Sequence, residues 1–300
     1  MQIGFVGLGK MGFNLALNLH RHGYEVIAYD VAIDNIKNIS LEGVIPAYSL
    51  AEMCQQLDGR KVIWLMVPAG KPVDDCIELL VPHLDQHDII IDGVNSNYND
   101  SVRRYNYLKS KGIDYLDCGT SGGVEGALYG ACTMIGGEDE VFNHCASVFR
   151  DISVENGYLH AGGPGSGHFV KMVHNGIEYG MMQAIAEGFE VMEQSKYDLD
   201  LQQVARVFNH GSVVRSWLME LVESAFSKDP KLDTIKGVMH SSGEGKWTLE
   251  TALDMGIPTP VIALSLIMRY RSQQDDTFTG QVVAALRNEF GGNAVEKVVP

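Results

Sequence analysis

The sequence predicts an α/β protein: a doubly wound, mostly parallel sheet followed by an all-α region. Short apolar runs alternate with amphipathic helical segments through the first half of the 300 residues. A glycine-rich turn follows the first apolar run, and strand patterns become hard to find after the glycine-rich tract at residues 161–167. We therefore predict two domains, residues 1–163 with the sheet and residues 164–300 with helices alone.

The composition excludes several classes of protein. A formal net charge of −15 argues against non-specific nucleic-acid binding. Five scattered cysteines without a CxxC pair suit reduced thiols in the cytoplasm better than a disulfide frame or a zinc site. No apolar run reaches the ~18 residues of a membrane span, and Met1 leads directly into a strand, which leaves no room for a leader peptide. We expect a cytoplasmic protein without a resident metal.

The first strand, predicted at Gln2–Val6, runs into a G-x-G-x-x-G turn and then a helical pattern. A second strand, Glu25–Tyr29, ends at an acidic residue, Asp30. Strand, glycine turn, helix, strand and acid in this order are typical of a Rossmann dinucleotide site, although a glycine turn can also merely connect a strand to a helix. The candidate cofactor-binding residues of the turn are Gly7, Leu8, Gly9, Lys10, Met11 and Gly12.

Asp30 bears on the choice of cofactor. A carboxylate at this position accepts hydrogen bonds from a ribose 2′-hydroxyl and repels a 2′-phosphate. Residues 31–33 supply no arginine, and Lys37 is the nearest cation. The sequence therefore favours NAD, with NADP still possible.

Further strands are predicted at 61–67, 88–92, 113–117 and 131–135, each followed by a loop. Loops at the carboxyl ends of parallel strands line the ligand crevice, although turn formation alone also explains glycine pairs. The candidate pocket residues are Val67, Pro68, Ala69, Asn95, Ser121, Gly122 and Gly123.

A helix predicted from residue 165 onward carries a polar face. Lys171, His174, Asn175 and Glu178 are three, four and seven positions apart, and Tyr179 flanks them. This could be the solvated face of an ordinary amphipathic helix. The apolar continuation to residue 191 instead indicates a buried helix, where an unpaired charge is costly, and two helix-interior glycines, Gly176 and Gly180, indicate close approach by a helix or a ligand.

Helical periodicity continues at 199–209, 213–226, 248–254, 260–270 and 278–287. Three cations of this half, Lys246, Arg269 and Arg287, lie next to glycines or aromatic residues. They are candidates for binding an anionic substrate, and exposed surface charge is the alternative.

At these motifs the sequence resembles 6-phosphogluconate dehydrogenase, decarboxylating, over nearly its whole length. The likeness is sharpest at Gly165–Tyr179 and also clear at Ser121–Gly123, Gly245–Thr248 and Arg287–Gly291. At 300 residues the chain is similar to the short bacterial form of the family, which is regarded as NAD-dependent. The resemblance implies conversion of 6-phosphogluconate to ribulose 5-phosphate and CO2, in pentose phosphate or gluconate metabolism.

The resemblance also implies roles for individual residues. Lys171 corresponds to the general base and Glu178 to the general acid, while Arg269 corresponds to an arginine on the substrate phosphate. Arg287 matches an arginine that the partner subunit's tail contributes, which implies a homodimer or homotetramer. The remaining substrate-contact positions are Asn95, Ser121, Gly122, Gly123, His174, Asn175, Tyr179 and Lys246, and the cofactor positions are Gly7–Gly12, Asp30, Val67–Ala69 and Asn95.

Three departures from the family's long forms stand out. Asp30-Val-Ala replaces an Asn-Arg-Thr segment, which puts NADP use in doubt. Ser242-Gly-Glu244 replaces Lys-Gly-Thr, so one cation is missing, and Asn293 stands where the family has a histidine.

The chemistry expected of the residues agrees with this resemblance. Oxidation of a secondary alcohol needs a base for the hydroxyl proton, and an acid must protonate the enediol carbon after CO2 leaves. Lys171 and Glu178 supply these two functions. A lysine with a reference pKa of about 10.4 needs burial and a nearby cation to act as a base at neutral pH.

Two other functions remain open. A β-hydroxyacid dehydrogenase of the 3-hydroxyisobutyrate or tartronate semialdehyde type shares the Rossmann half, the Ser-Gly-Gly loop and the helix lysine, but needs no second acid. A non-catalytic NAD-binding sensor would keep the glycine turn and lose the catalytic helix.

Overall fold

The computed structural model describes residues 1–297. It contains two compact units, Met1–Asn175 and a second that begins at Gly176. The division falls inside a long helix, Ser166–Glu193, twelve residues beyond the domain boundary proposed from the sequence. The start of that helix packs against the sheet of the first unit, so the division into compact units follows these contacts, and the domain boundary at residues 163–164 stays a prediction.

The first unit alternates strands and helices, and it contains all six strands that the sequence predicts together with two further ones. Its elements are β1 Gln2–Val6, α1 Lys10–Arg21, β2 Glu25–Tyr29, α2 Ile33–Ser40, β3 Ile45–Pro46, α3 Leu50–Gln55, β4 Val62–Leu65, α4 Lys71–Leu80, β5 Ile89–Asp92, α5 Tyr98–Ser110, β6 Asp114–Ser121, α6 Gly123–Tyr129, β7 Ala131–Gly137, α7 Asp139–Ile152 and β8 Ser153–Gly162.

These strands form one sheet in the order β3-β2-β1-β4-β5-β6-β7-β8. All neighbouring pairs are parallel except β6 and β7, which are antiparallel. The doubly wound, mostly parallel α/β class is confirmed.

The sequence missed β3 and β8, and it ended β6 too early. Residues 118–121, predicted as a loop, continue β6 because Ser121 pairs with Cys132 across the antiparallel ladder. The edge strand β8 is mostly exposed, so it lacks the apolar run by which the other strands were identified.

The core lies on both faces of the sheet. Trp64 and Ile91 point into one cluster of buried side chains, while Ile63 and Ile90 point into the other. Helices cover both faces, so successive strand residues are all buried. This explains why the strands read as continuous apolar runs rather than as alternating patterns.

In the described part of the second unit the regular elements are helices, without a strand. The long helix is α8 Ser166–Glu193, followed by α9 Leu201–Asn209, α10 Trp217–Lys228, α11 Gly243–Asp254, α12 Pro260–Ser272 and α13 Phe278–Gly291. The all-α prediction is confirmed. Helix α10 begins later than predicted because the Ser216 side chain accepts a hydrogen bond from Met219 N and caps the helix. Among the described residues no helix is long and apolar enough to cross a membrane.

Few side chains of the second unit are buried among the described residues of the single chain. Phe189, Ala205, Met219 and Phe226 form its small buried cluster. The predicted burial of α8 up to Val191 is wrong for this chain, because most of α8 beyond Gly180 is exposed and Val191 itself is 72% exposed. The periodicity predicted the helix correctly, but it could not tell whether the same chain covers its apolar side chains.

Candidate active site

The glycine turn between β1 and α1 has the geometry of a dinucleotide site. Gly7 has φ +98°, and a Cβ there would lie 2.5 Å from Met66 O. A Cβ on Gly12 would lie 2.0 Å from Gly7 O, so helix and strand approach closely at this point. Gly9 is the N-cap of α1, and a Cβ there would meet nothing within 4 Å. The first-turn N–H groups of α1 are therefore open to a pyrophosphate, as in other helix N-termini that bind phosphate.

Asp30 is held at the end of β2 against this turn. Its Oδ2 accepts a hydrogen bond from Leu8 N at 2.6 Å, and its Oδ1 accepts one from Ala32 N at 2.7 Å. The carboxylate keeps free lone pairs for ribose hydroxyls. Val31 beside it is 89% exposed, and Lys37 pairs with Asp34 at 3.6 Å.

The two loops that follow β4 and β5 lie at the same carboxyl edge. Val67 is half-buried, whereas Pro68 and Ala69 are exposed. Asn95 adopts φ +55°, and its amide clamps the backbone of Thr120: Asn95 Nδ2 donates to Thr120 O at 3.2 Å and Thr120 N donates to Asn95 Oδ1 at 2.9 Å. This amide therefore joins the loop after β5 to the end of β6.

The Ser-Gly-Gly segment spans the end of β6 and the start of α6. Ser121 is the last residue of β6, and Gly122, with φ +114°, is the N-cap of α6. Ser121 Oγ lies 3.3 Å from His174 Nε2. The predicted substrate-side residues Ser121 and His174 are thus brought into contact, with Gly122 and Gly123 beside them.

The start of α8 lies directly on the backbone of β6 and β7. A Cβ on Gly119 would lie 2.3 Å from the Cβ of Lys171, and a Cβ on Gly167 would lie 2.5 Å from Met134 O. A Cβ on Gly136, on β7, would lie 2.7 Å from Gly167 N. Three glycines therefore let helix and sheet touch, and they place Lys171 over the end of β6. We call this contact the glycine seat of α8.

Asp117 anchors the same helix start. Its Oδ1 accepts a hydrogen bond from Gly165 N at 2.6 Å, and its Oδ2 accepts one from His168 N at 2.8 Å. Burial raises the pKa of the fully buried Asp117 carboxyl, while His168 and the two backbone donors act against this rise. The carboxylate caps N–H groups that α8 itself cannot satisfy.

Lys171, His174 and Asn175 form one hydrogen-bonded group on α8. Lys171 is 5% exposed, and its Nζ donates to Asn175 Oδ1 at 2.8 Å. His174 Nδ1 lies 2.9 Å from Asn175 Oδ1 and 3.5 Å from Lys171 Nζ. If His174 Nδ1 carries the proton, Nε2 is the acceptor that faces Ser121 Oγ. An amine and an imidazole are thus held at the end of β6, where proton transfer to or from a substrate hydroxyl is chemically possible.

In the second unit, Tyr179 is the centre of a separate polar group. Its hydroxyl accepts a hydrogen bond from Ser242 N at 2.9 Å and lies 3.1 Å from Ser242 Oγ. The guanidinium of Arg269 stacks over the Tyr179 ring at 3.7 Å, and Arg269 Nη1 donates to His240 O at 2.7 Å. Ser242, which replaces a family lysine, here supports Tyr179.

The two helix-interior glycines of α8 face other helices. A Cβ on Gly176 would lie 2.7 Å from Thr248 Cγ2 on α11, and one on Gly180 would lie 3.1 Å from Val261 on α12. Glu178 lies between these two glycines and is half-buried. The glycines thus permit close helix packing, as the sequence predicted.

The other cations of the second unit lie on its surface. Lys246 is exposed and pairs with Glu250 at 3.3 Å along α11. Arg287 is exposed on α13, a helix without a buried residue. Asn293 Nδ2 donates to Arg287 O at 3.0 Å, so Asn293 closes the end of α13.

Sequence reasoning missed the residues that hold this site in place. Asp92 ends the apolar strand β5, Asp117 ends the apolar run predicted at 113–117 and lies inside β6, and Arg104 lies in the polar helix α5. An acidic residue at the end of an apolar run is a sequence signal that could have identified Asp92 and Asp117. Its partners lie far along the chain, up to 51 residues away for Asp117, so they could not be assigned.

Two family models match the chain. The NAD binding domain of 6-phosphogluconate dehydrogenase matches residues 2–162, and the C-terminal domain of 6-phosphogluconate dehydrogenase matches residues 167–290. Together they cover most of the chain.

Named relatives point to the same family. YqeC of Bacillus subtilis strain 168, which bears a provisional name as a 6-phosphogluconate dehydrogenase, is 58% identical over 99% of this chain and 100% of its own length. The NAD(+)-dependent decarboxylating 6-phosphogluconate dehydrogenase of Haloferax volcanii is 42% identical over 99% of both chains.

The chain is also similar to solved structures. Plasmodium falciparum 6-phosphogluconate dehydrogenase, described with NADP+ and with 6-phosphogluconate, is 32% identical with a TM-score of 0.85, over 97% of this chain and 65% of that one. A 3-hydroxyisobutyrate dehydrogenase from Mycobacterium tuberculosis is 23% identical with a TM-score of 0.73, over 95% of this chain and 99% of that one, which shows a shared fold alone. With an NAD-binding sheet domain and a matching helical domain, the chain belongs to the 6-phosphogluconate dehydrogenase family of oxidoreductases.

Proposed function

We propose that the protein oxidatively decarboxylates 6-phospho-D-gluconate to D-ribulose 5-phosphate and CO2, with NAD as the preferred oxidant. The observation that carries the proposal is the group formed by Lys171, His174 and Asn175 beside Ser121. It holds a buried amine at the carboxyl edge of an NAD-binding sheet. The names of the relatives supply the substrate.

Lys171 is the proposed general base of the first step. The bound nicotinamide supplies a hydride acceptor, and Lys171 takes the proton from the substrate hydroxyl that becomes a carbonyl. Asn175 holds the amine in position through its Oδ1, and His174 lies beside both groups. As CO2 leaves, negative charge develops on the enolate oxygen. The Lys171 ammonium, formed in the first step, stabilises this charge.

Glu178 is the proposed acid of the last step. It follows Lys171 by seven residues on the continuous helix α8, and positions seven apart share one helix face. Protonation of the enediol carbon by Glu178 completes the reaction. A plain β-hydroxyacid dehydrogenase does not need this group.

The proposed phosphate ligands are cations of the second unit. Arg269 is orientated by stacking on Tyr179, so little side-chain freedom is lost when it binds an anion. Lys246 and Arg287 are exposed and available for charge-assisted hydrogen bonds.

A second copy of the chain is the proposed source of Arg287 in each site. Helix α13 exposes Phe278, Leu286 and Phe290 by 79%, 57% and 81%. Apolar side chains exposed together on one helix are typical of an interface. We therefore propose a homodimer, or a tetramer built from it, in which the tail helix of one subunit covers its partner. The five free cysteines support a reducing compartment, and we propose the cytoplasm.

The preference for NAD rests on Asp30. Its carboxylate is fixed by Leu8 N and Ala32 N, so it cannot easily turn away from a 2′-phosphate. The exposed neighbour Val31 offers no positive charge to such a phosphate.

The test is the reduction of NAD and NADP, in parallel, with 6-phosphogluconate while released CO2 is trapped. NADH formed in step with CO2 is the expected result. NADPH with CO2 would keep the reaction and reverse the cofactor preference. Reduced cofactor without CO2 would show a plain hydroxyacid dehydrogenase, and NAD binding without any reduction would show a sensor.

A further inference from the structure

A chain of hydrogen bonds joins two loops and the end of β6 at the carboxyl edge of the sheet, and Arg104 lies at its centre. We infer that Arg104 is a positioning residue that sets the loops after β4 and β5 around the nicotinamide half of the dinucleotide. The inference rests on the proposed function in so far as those loops receive the reacting ring. It concerns binding geometry, so it can be tested apart from turnover.

Arg104 is almost completely buried, with 1% of its surface exposed. Its Nη2 donates to Gly70 O at 3.0 Å, in the loop that begins with Val67. Its Nη1 donates to Ser96 Oγ at 2.8 Å and to Asp92 Oδ2 at 3.0 Å, in the loop after β5. One guanidinium therefore bridges the loops after β4 and β5 beyond the last ladder pair of these strands, Leu65 and Asp92.

The loop after β5 is ordered further by Asp92. The Asp92 Oδ1 accepts a hydrogen bond from Val94 N at 3.2 Å, and Oδ2 accepts one from Tyr115 Oη at 2.9 Å. Ser96 Oγ lies 3.1 Å from the same Oδ2. Asn95, between Val94 and Ser96, then clamps Thr120 at the end of β6. The chain of contacts thus runs from Gly70 through Arg104 to the residue before Ser121.

The topology assigns these loops to the nicotinamide side. In the sheet, β2 lies on one side of β1, and β4 and β5 lie on the other. Asp30 follows β2 and faces the adenosine ribose, while the pyrophosphate binds over the turn after β1. The other half of the dinucleotide must therefore extend over the loops after β4 and β5. The partners of Arg104 named above all belong to that side.

Arginine suits this role better than lysine. Its planar fork presents donors in fixed directions, so it can hold Gly70 O, Ser96 Oγ and Asp92 Oδ2 at the same time. A lysine keeps the charge next to Asp92 but has a single nitrogen. Arg104→Lys therefore separates the bridging geometry from the charge.

The experiment measures the dissociation constants of NAD and of AMP by titration calorimetry. AMP occupies the adenosine side alone. In Arg104→Lys and in Ser96→Ala we expect the dissociation constant for NAD to rise by about tenfold, equivalent to about 1.4 kcal/mol, while that for AMP changes by less than about twofold. Arg104→Met leaves Asp92 buried without its cation, and if it does not fold, the other two variants carry the test.

The matched control is Arg103→Lys. Arg103 is the neighbouring arginine on α5, is half-exposed, and pairs with Asp74 and Asp100 instead of the loops. Both dissociation constants should stay at the wild-type values. A second control, Val148→Ala in the buried core, lowers thermal stability without touching the loops. It shows what loss of stability alone does to the two constants.

Four outcomes decide the inference. A selective loss of NAD affinity in Arg104→Lys, absent in both controls, supports it. Equal losses for NAD and AMP, or an unchanged NAD affinity, overturn it. If wild-type protein binds NAD but fails to oxidise 6-phosphogluconate, the proposed reaction is overturned. A selective loss of NAD affinity in Arg104→Lys would still support the role of Arg104. Wild-type protein that does not bind NAD overturns both.

Discussion

The two units differ in how many of their apolar and polar side chains are buried or hydrogen-bonded within the unit itself. In the first, both faces of the sheet are buried, and the carboxyl-edge loops are joined by buried hydrogen bonds. In the described part of the second, one small hydrophobic cluster and a few further residues such as Leu266 are buried, and α13 has no buried residue. A cavity of about 730 Å³ also opens between α8, α9 and α10, with lining residues such as Phe189, Leu221 and Phe226. The first unit thus buries both faces of its sheet with its own helices, whereas many apolar side chains of the second stay exposed among the described residues.

This difference divides the candidate site residues into two groups. One group is held rigidly by the buried first unit, and the other lies on exposed helices of the second. Lys171 lies in the glycine seat, where the backbone of β6 and β7 fixes it. Arg287 lies on α13, whose apolar side chains are left exposed by the residues that the structure describes. Changes in the seat should therefore alter turnover, and changes in the tail should alter assembly and substrate affinity.

The largest effect is expected from Lys171→Met, which removes the proposed base from the rigidly held group. Turnover should fall by at least about a hundredfold, the usual contribution of general base catalysis, while the dissociation constant for NAD stays near the wild-type value. Steady-state assays and calorimetry measure the two quantities. Lys109→Met, on the surface of α5, is the control and should leave both unchanged. A Lys171→Met variant with more than a few per cent of wild-type turnover would falsify the assignment.

The next effect is expected from Gly119→Ala, which tests the seat without altering the lysine. The new Cβ would lie 2.3 Å from the Cβ of Lys171, so helix or strand must move. Because a displacement of about 1 Å can cost about a hundredfold in rate, kcat should fall strongly.

Gly188→Ala is the matched control for Gly119→Ala. Gly188 lies in α8, the helix that carries Lys171, and a Cβ there would meet nothing within 4 Å. It should leave kcat unchanged and stabilise the protein by up to about 1 kcal/mol, because alanine is the better helix former. Equal kcat values in the two variants would show that the seat does not position Lys171.

A moderate effect is expected from Phe290→Asp on α13. A charge in place of this exposed aromatic side chain should weaken association of two copies. Loss of the partner's tail removes a charged hydrogen bond to the substrate, so KM for 6-phosphogluconate should rise by about tenfold. Sedimentation velocity and KM are measured together.

Gln281→Glu, on the side of α13 opposite Phe290, is the control and should change neither quantity. A Phe290→Asp variant that remains associated would contradict the proposed interface.

The smallest effect is expected from Asp74→Asn, at the rim of the Arg104 network. Partial burial raises the pKa of Asp74, but hydrogen bonds from Arg104 and Arg103 outweigh this and hold the pKa below its usual value of 3.8. A lowered pKa in the folded state contributes stability above pH ~4 and loses it as the pH falls further.

In urea unfolding, wild-type protein should therefore exceed Asp74→Asn in the free energy of unfolding by less than about 1 kcal/mol at pH 7. The difference should vanish as the pH falls below ~4. NAD affinity should not change, since Gly70 O, Ser96 and Asp92 still hold Arg104. A difference that persists at low pH would mean that Asp74 acts through packing rather than through its charge.

Local patterns predicted much of this molecule, because they depend on neighbouring residues. The glycine turn, Asp30 and the apolar strands follow from steric and burial rules that act over a few positions. The polar face of α8 follows from helical spacing alone. The edge strand β8 and the extension of β6 were missed, because both are defined by pairing with β7 rather than by an apolar run of their own.

By itself, the sequence determined the fold class, the dinucleotide motif and the identity of the candidate catalytic side chains. The tertiary structure alone decided what holds them: Asp117 under the start of α8, Gly119 beneath Lys171, and Arg104 between two loops. Apart from the bonds of Arg104 to Ser96 and Asp92, these contacts join residues 34 to 52 positions apart, where no periodicity links one partner to the other. Only the packing of the sheet brings them together.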